Sequence, residues 1–146
     1  MREIKFKWIG RNRKFGQIEI SDALSTTDII KGNYPSFFSF ENRYSDYYTG
    51  GNCEFIAEIL YTGLEDKNGK EIYEGDIMKN IKYGNTFFID WATSDDYCGF
   101  MAETIVGLGE GYSTGLKGDR NIFLSKDFDN CEVIGNIYEN PELLVL

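Results

Sequence analysis

Between Tyr61 and Met78 the chain reads YTGLEDKNGKEIYEGDIM, two strand-like runs on either side of the strongest short turn signal in the sequence. Asn68-Gly69 is the pair that a two-residue type I′ hairpin turn requires, because both central positions take positive φ. With those two residues as the loop, Lys67 faces Lys70, Asp66 faces Glu71, Glu65 faces Ile72, and Leu64 and Tyr73 form an apolar pair across the ladder. Glu74-Gly75-Asp76 then interrupts the second run, and a glycine in that setting predicts a bulge or tight bend. Asp76 is expected to close the bend by accepting backbone N–H groups. That structural role outweighs catalysis, for which no partner base is in view.

The flanking segments continue the β pattern. Upstream, CEFIAEILY feeds directly into the hairpin; Glu54 and Glu58 would share a helical face, but the β-branched and aromatic content favours a strand. Downstream, KNIKYGN turns through Gly84-Asn85 into TFFIDW, where Phe87, Ile89 and Trp91 share one face of a strand, and YCGFMAETIV returns as another. NIFLS and CEVIGNIYEN add two more runs, with Gly135 as a bulge or close-approach position and Pro141 ending the last one. At the N-terminus Ile4, Phe6 and Trp8 alternate with Lys5 and Lys7, so residues 4 to 20 are expected to form a first hairpin with a basic polar face. Ser21-Asp22 and then Ser25 to Asp28 offer helix N-cap chemistry, but Gly32, Asn33 and Pro35 leave room for only a short turn or helix.

Composition agrees with a mainly β globular chain. At 146 residues one domain spanning 1 to 146 is the default, and 16% aromatics favour strands over a helical bundle. The expected fold is a strongly bent antiparallel sheet or partly open β-barrel with a minor short helix. Charge is uneven: Arg2, Lys5, Lys7, Arg11, Arg13 and Lys14 against Glu3 make the first fourteen residues net +5 in a chain of net −9. A net acidic protein repels nucleic acid as a whole, so any such contact would use this basic segment. A solvated strand face is the simpler account. Cys53, Cys98 and Cys131 are too scattered for a zinc ribbon or a disulfide framework, and no run reaches membrane-spanning length. An intracellular, soluble protein with reduced thiols is the expectation, with no membrane partner.

Two stretches resist assignment. Tyr34 to Tyr48 concentrates aromatics among Ser, Asn and Asp, so Tyr34, Phe37, Tyr44 and Tyr47, with Lys5 and Lys7, are the candidate interaction surface; rings covering one end of a core is the plainer alternative. Gly107 to Gly118 is glycine-rich but lacks both the GK[ST] of a Walker loop and the GxGxxG of a dinucleotide fold.

Chemistry is most marked by what is missing. The chain has no histidine, which removes the commonest general base, Ser-His and Cys-His pairs, and histidine metal sites. Asp66 to Gly69 does not match a calcium loop. Asp127 with Asp129, Asp95 with Asp96, and Glu74 with Asp76 are acid pairs of a kind that chance supplies readily in so acidic a chain. No catalytic residue, metal site or cofactor is assigned.

Three blocks, MREIKFKW, YTGLEDKNGKEIYEGDIM and CEVIGNIYENPELL, resemble the YopX family of phage and prophage proteins. They frame nearly the whole chain; WIGRN departs from the AWD common at the end of the first block. The resemblance implies a mainly β, barrel-like fold and no established activity. Its signature residues here are Tyr61, Gly63, Asp66, Asn68, Gly69, Tyr73, Gly75, Asp76, Gly135 and Asn136, all expected to be structural. The function expected is a non-enzymatic accessory module that binds a protein partner or its own copies. A nucleic-acid-associated module using the basic N-terminal strand is the alternative, and a carboxylate- or metal-dependent enzyme a more distant one.

Overall fold

A computed structural model describes residues 4–33, 53–93, 98–106 and 128–144. The Tyr34–Tyr48 aromatic stretch, the Gly107–Gly118 segment and the NIFLS run lie outside them. The chain divides into two compact units, Met1–Leu60 and Tyr61–Leu146. Mainly β structure is observed, with antiparallel pairing throughout and a single five-residue α-helix among the described residues.

The first unit is built on β1 (Lys5–Asn12). It pairs with β2 (Ile18–Ile20) through Ile9 opposite Ile20 and Arg11 opposite Ile18, which is the predicted first hairpin. The same strand pairs with β3 (Leu24–Ser25) and with the first part of β4 (Cys53–Glu65). Phe6 and Trp8 are buried with Leu24, Ile29 and Leu60 packed on them. Ile9 is also fully buried, so the strand is enclosed on both faces at its centre. Between Ile9 and Gly10 the register slips, because Ala57 and Phe55 are successive partners and Ile56 is extra. Such a bulge bends the strand and increases its twist. The short helix α1 (Thr26–Ile30) starts at a capping box: Ser25 Oγ accepts the Asp28 N–H, and the Asp28 carboxylate accepts the Ser25 N–H.

In the second unit the latter part of β4 forms a hairpin with β5 (Glu71–Tyr73), and β6 (Asp76–Asn80) enters a four-stranded sheet of order β8-β7-β6-β9. Its other strands are β7 (Thr86–Thr93), β8 (Cys98–Val106) and β9 (Cys131–Asn136). One face carries the core: Ile72, Met78, Phe87, Ile89, Ala102, Phe128 and Cys131, with Leu64, Phe100 and Val133 packed against it.

The hairpin differs from its expected register. Glu65 pairs with Glu71 instead of Ile72, and Tyr73 pairs with Tyr61 instead of Leu64. Two local features account for the shift. The loop is longer than the two residues Asn68-Gly69: the Asp66 N–H donates to the Lys70 carbonyl at 2.8 Å, and the Gly69 N–H donates to the Asp66 carbonyl at 3.0 Å. Gly69, at φ 78°, supplies the left-handed residue that closes a three-residue loop. Further along, Thr62, Gly63 and Leu64 together oppose Ile72, so the strand bulges. Gly63 takes φ 86° there, while Thr62 Oγ1 donates to the Ile72 carbonyl and accepts the Leu64 N–H. Those two bonds replace ladder bonds that the bulge breaks.

The expected bend at Glu74-Gly75-Asp76 carries the chain from β5 into the four-stranded sheet. Gly75 sits at φ 85°, donates its N–H to the Ile89 carbonyl at 2.7 Å and accepts the Ile137 N–H at 2.9 Å. A Cβ added there would lie 3.1 Å from the Tyr138 ring and 3.4 Å from the Ile137 side chain. Gly75→Ala should therefore destabilise by about 2 kcal/mol or more, combining left-handed backbone strain with crowding. Gly16→Ala, at φ 71° with open space around its Cβ, should show the backbone term alone. Denaturant midpoints of the two variants test the difference.

Candidate functional site

The signature residues of the central and closing blocks converge in the second unit. Asp66 is 7% exposed, and its carboxylate accepts three backbone N–H groups. Oδ1 takes Asn68 at 2.8 Å and Lys70 at 2.9 Å, and Oδ2 takes Val133 of β9 at 3.0 Å. The Lys67 N–H donates to the Cys131 carbonyl at 2.9 Å, so the hairpin loop is bonded to β9 at two points. Burial pushes the Asp66 carboxyl up, but the N–H groups of Val133, Lys70 and Asn68 outweigh it and hold it below the usual aspartate range. With donors from its own loop and from β9, the carboxylate clamps the two together.

Asp76 is also buried, and its Oδ2 accepts the Tyr73 N–H at 2.8 Å across the bend. Tyr73 stacks against Tyr61 with ring centroids 5.5 Å apart and donates its hydroxyl to Glu71 at 2.8 Å. Burial and then the Glu71 carboxylate push the Tyr73 phenol well above its ordinary value. Gly135 lies where a Cβ would meet Asn140 Oδ1 at 2.5 Å. The Ile77–Gly135 and Met78–Val133 pairs skip Ile134, so a bulge sits beside this close approach. Asn136 Oδ1 accepts the N–H groups of Tyr138 and Glu139, closing the turn after β9. Each of these polar atoms is engaged in a turn or a bulge.

One carboxylate pair was not singled out from the sequence. Asp90 lies opposite Met101 and Phe88 opposite Glu103, so Asp90 and Glu103 are diagonal neighbours on one face of β7 and β8. Burial, and after it a hydrogen bond with Asp90 and the Asp90 charge, push the Glu103 carboxyl up. Only the inter-strand register brings these two together. Asp129 is exposed, while Asp95, Asp96 and Asp127 lie outside the described residues. Among the described residues no group of three or more His, Cys, Asp or Glu has a metal-holding arrangement, and no helix is long and apolar enough to cross a membrane.

The candidate interaction residues fall differently. Tyr34, Phe37, Tyr44 and Tyr47 lie outside the described residues. Lys5 and Lys7 are half-buried on β1, on the face that also carries buried Ile9. Arg11, further along that face, lies opposite Glu54 in the register, with its guanidinium 4.0 Å from the carboxylate. The basic segment is thus partly buried and partly neutralised within its own sheet.

The second unit instead presents Trp91. It is 43% exposed near the end of β7, opposite Phe100 of β8, with ring centroids 4.9 Å apart and planes at 88°. An edge-to-face neighbour of this kind fixes the indole orientation. Phe87 and Ile89 on the same face of β7 are fully buried, so Trp91 is where the core face reaches solvent.

Comparison with known proteins gives a family model described as YopX protein, matching residues 9–145. Among solved structures, the crystal structure of protein EF1440 from Enterococcus faecalis is similar at 22% identity and a TM-score of 0.46, covering 97% of each chain. No curated protein matches.

The Asp66 clamp sets a pH dependence. A carboxyl held below its unfolded value stabilises the fold fully above that unfolded value, near pH 4, and the contribution disappears as pH falls through the lowered folded value. Asp66→Asn should place an amide N–H₂ against at least one N–H donor and lower stability by about 1–3 kcal/mol at neutral pH. Urea midpoints measured downward from neutral pH should converge for the parent and the variant in the acid limb.

Proposed function

The chain belongs to the YopX family, and from that membership we propose that it is a phage- or prophage-encoded accessory protein that works without catalysis, by binding a partner protein in the bacterial cytoplasm. The observation that carries this reading is the half-exposed Trp91 held edge-on by Phe100 at the solvent limit of the core face. A large amphipathic ring already oriented before contact loses little entropy on binding, and tryptophan is prominent among residues that dominate interface energies. The signature residues act as scaffold for that surface, since Asp66, Gly75, Asp76 and Asn136 spend their polar groups on turns.

Affinity purification with the full chain as bait, from infected or lysogenic cells, should recover the same partner protein repeatedly. Trp91→Ala should weaken that partner's binding by roughly thirtyfold, as expected of an aromatic interface anchor, while leaving the thermal midpoint little changed. Repeated recovery of no partner, or undiminished binding by the variant, would sink the reading.

We also take residues 1–146 as one cooperative folding domain. The support is that β4 (Cys53–Glu65) includes both Leu60 and Tyr61, so the division between the two units falls inside a strand. Thermal unfolding followed by tryptophan fluorescence and by far-UV circular dichroism should give one coincident transition; two separated transitions would contradict it.

A further inference from the structure

Two hairpin tips, one in each unit, are built to the same plan. The β1–β2 tip reads NRKFGQ from Asn12 to Gln17, and the β6–β7 tip reads NIKYGN from Asn80 to Asn85. In the first, Asn12 Oδ1 accepts the N–H groups of Lys14 at 2.9 Å and Phe15 at 3.0 Å. In the second, Asn80 Oδ1 accepts those of Lys82 at 2.9 Å and Tyr83 at 3.1 Å. The Asn carbonyl accepts the N–H of Gly16 or Gly84, at 2.7 Å in both, and the Asn N–H donates to the carbonyl of Gln17 or Asn85. The glycines take φ 71° and 76°. In both tips the lysine ammonium stands 5.2 Å from the centroid of the neighbouring aromatic ring. Phe15 is 67% exposed and Tyr83 48%.

The backbone plan is a good way to turn a hairpin, and an Asn–x–x–x–Gly loop would need no other reason to recur. The plan does not require an exposed aromatic ring, nor a lysine before it. Burial gains little from Phe15 at such exposure, and an exposed phenylalanine is a liability for solubility. What the two tips share beyond their backbone is therefore a surface chemistry: a flat π face with a cation against it, on a loop whose shape is fixed by its own hydrogen bonds.

We propose that the two tips are contact elements for single-stranded nucleic acid, each ring stacking on a base while the adjacent lysine meets a phosphate. Two observations favour this ligand. Ring and cation together match the two halves of a nucleotide, and stacking on an aromatic face tolerates any base. Finally, the first tip lies in the net-positive N-terminal segment, where Lys14 is exposed beside Phe15. The net charge of −9 opposes binding and makes it dependent on low salt. This reading shares no residue with the Trp91 surface and stands or falls separately from it.

The test uses the full chain and a fluorescein-labelled oligo(dT) of about 20 nucleotides, followed by fluorescence anisotropy. Binding should be measurable at about 50 mM salt and weaken steeply towards about 200 mM. Phe15→Ala combined with Tyr83→Ala should weaken it by roughly tenfold or more, the effect of losing a stacked base at each tip. Tyr83→Phe should keep parental affinity, because stacking needs the ring and not the hydroxyl. Lys14→Gln with Lys82→Gln should make the salt dependence shallower. All these positions are exposed, and unchanged circular dichroism and thermal midpoints establish that the variants remain folded. No binding at low salt, or binding that survives loss of both rings, overturns the proposal. Ring-dependent binding to phosphatidylglycerol vesicles without oligonucleotide binding would assign the tips to a lipid surface and overturn it equally.

Discussion

The Asp66 carboxylate accepts N–H groups from its own loop at Asn68 and Lys70 and from Val133, sixty-seven residues along the chain. The loop bonds lie within one turn and orient the carboxylate locally. The Val133 bond then fixes β9 beside the loop, with the Lys67 N–H on the Cys131 carbonyl as a second bond. A neutral side chain could close the turn, but a charged one makes the stronger bonds to three donors at once. In the second unit the ordering of β9 against β6, and of Cys131 within the core, is thus coupled to the turn chemistry at a single residue.

The Gly75 bend adds a second constraint of a different kind. Its backbone joins Ile89 of β7 to Ile137 beyond β9, and the space where a side chain would stand is taken by Ile137 and Tyr138. Asp66 works by charge and Gly75 by lack of volume. In both, turn geometry takes up the distinctive feature: the Asp66 carboxylate has three N–H partners, and Gly75 is flanked by packed side chains.

Surface chemistry lies elsewhere, on residues the family blocks do not mark. Trp91 emerges at the limit of the core face, and the Asn12 and Asn80 tips carry rings beside ammonium groups. The β1–β2 tip was legible as part of the hairpin of residues 4 to 20 and the β6–β7 tip as the turn at Gly84-Asn85, but their likeness depends on hydrogen bonds accepted by an asparagine four residues before each glycine. The charge asymmetry was equally plain in the sequence, yet its meaning changed once Ile9 was found buried beside Lys7 and Glu54 across from Arg11.

Local pattern alone determined that this chain would be mainly β, that residues 4 to 20 would form a hairpin, that no more than a short turn or helix would precede Pro35, and that Glu74-Gly75-Asp76 would bend. Each of those features follows from the period of side-chain burial or from the conformational freedom of a glycine, and both are properties of a few adjacent residues. Only the tertiary structure decided the register of the central hairpin, because the bulge at Thr62–Leu64 exchanges ladder bonds for Thr62 side-chain bonds and the loop closes on Asp66 instead of Asn68. It alone decided that Asp66 reaches Val133 and that Asp90 meets Glu103, since those pairings depend on which strands lie side by side. Strand order is a long-range choice, set by how the core packs, and no short stretch of sequence contains it.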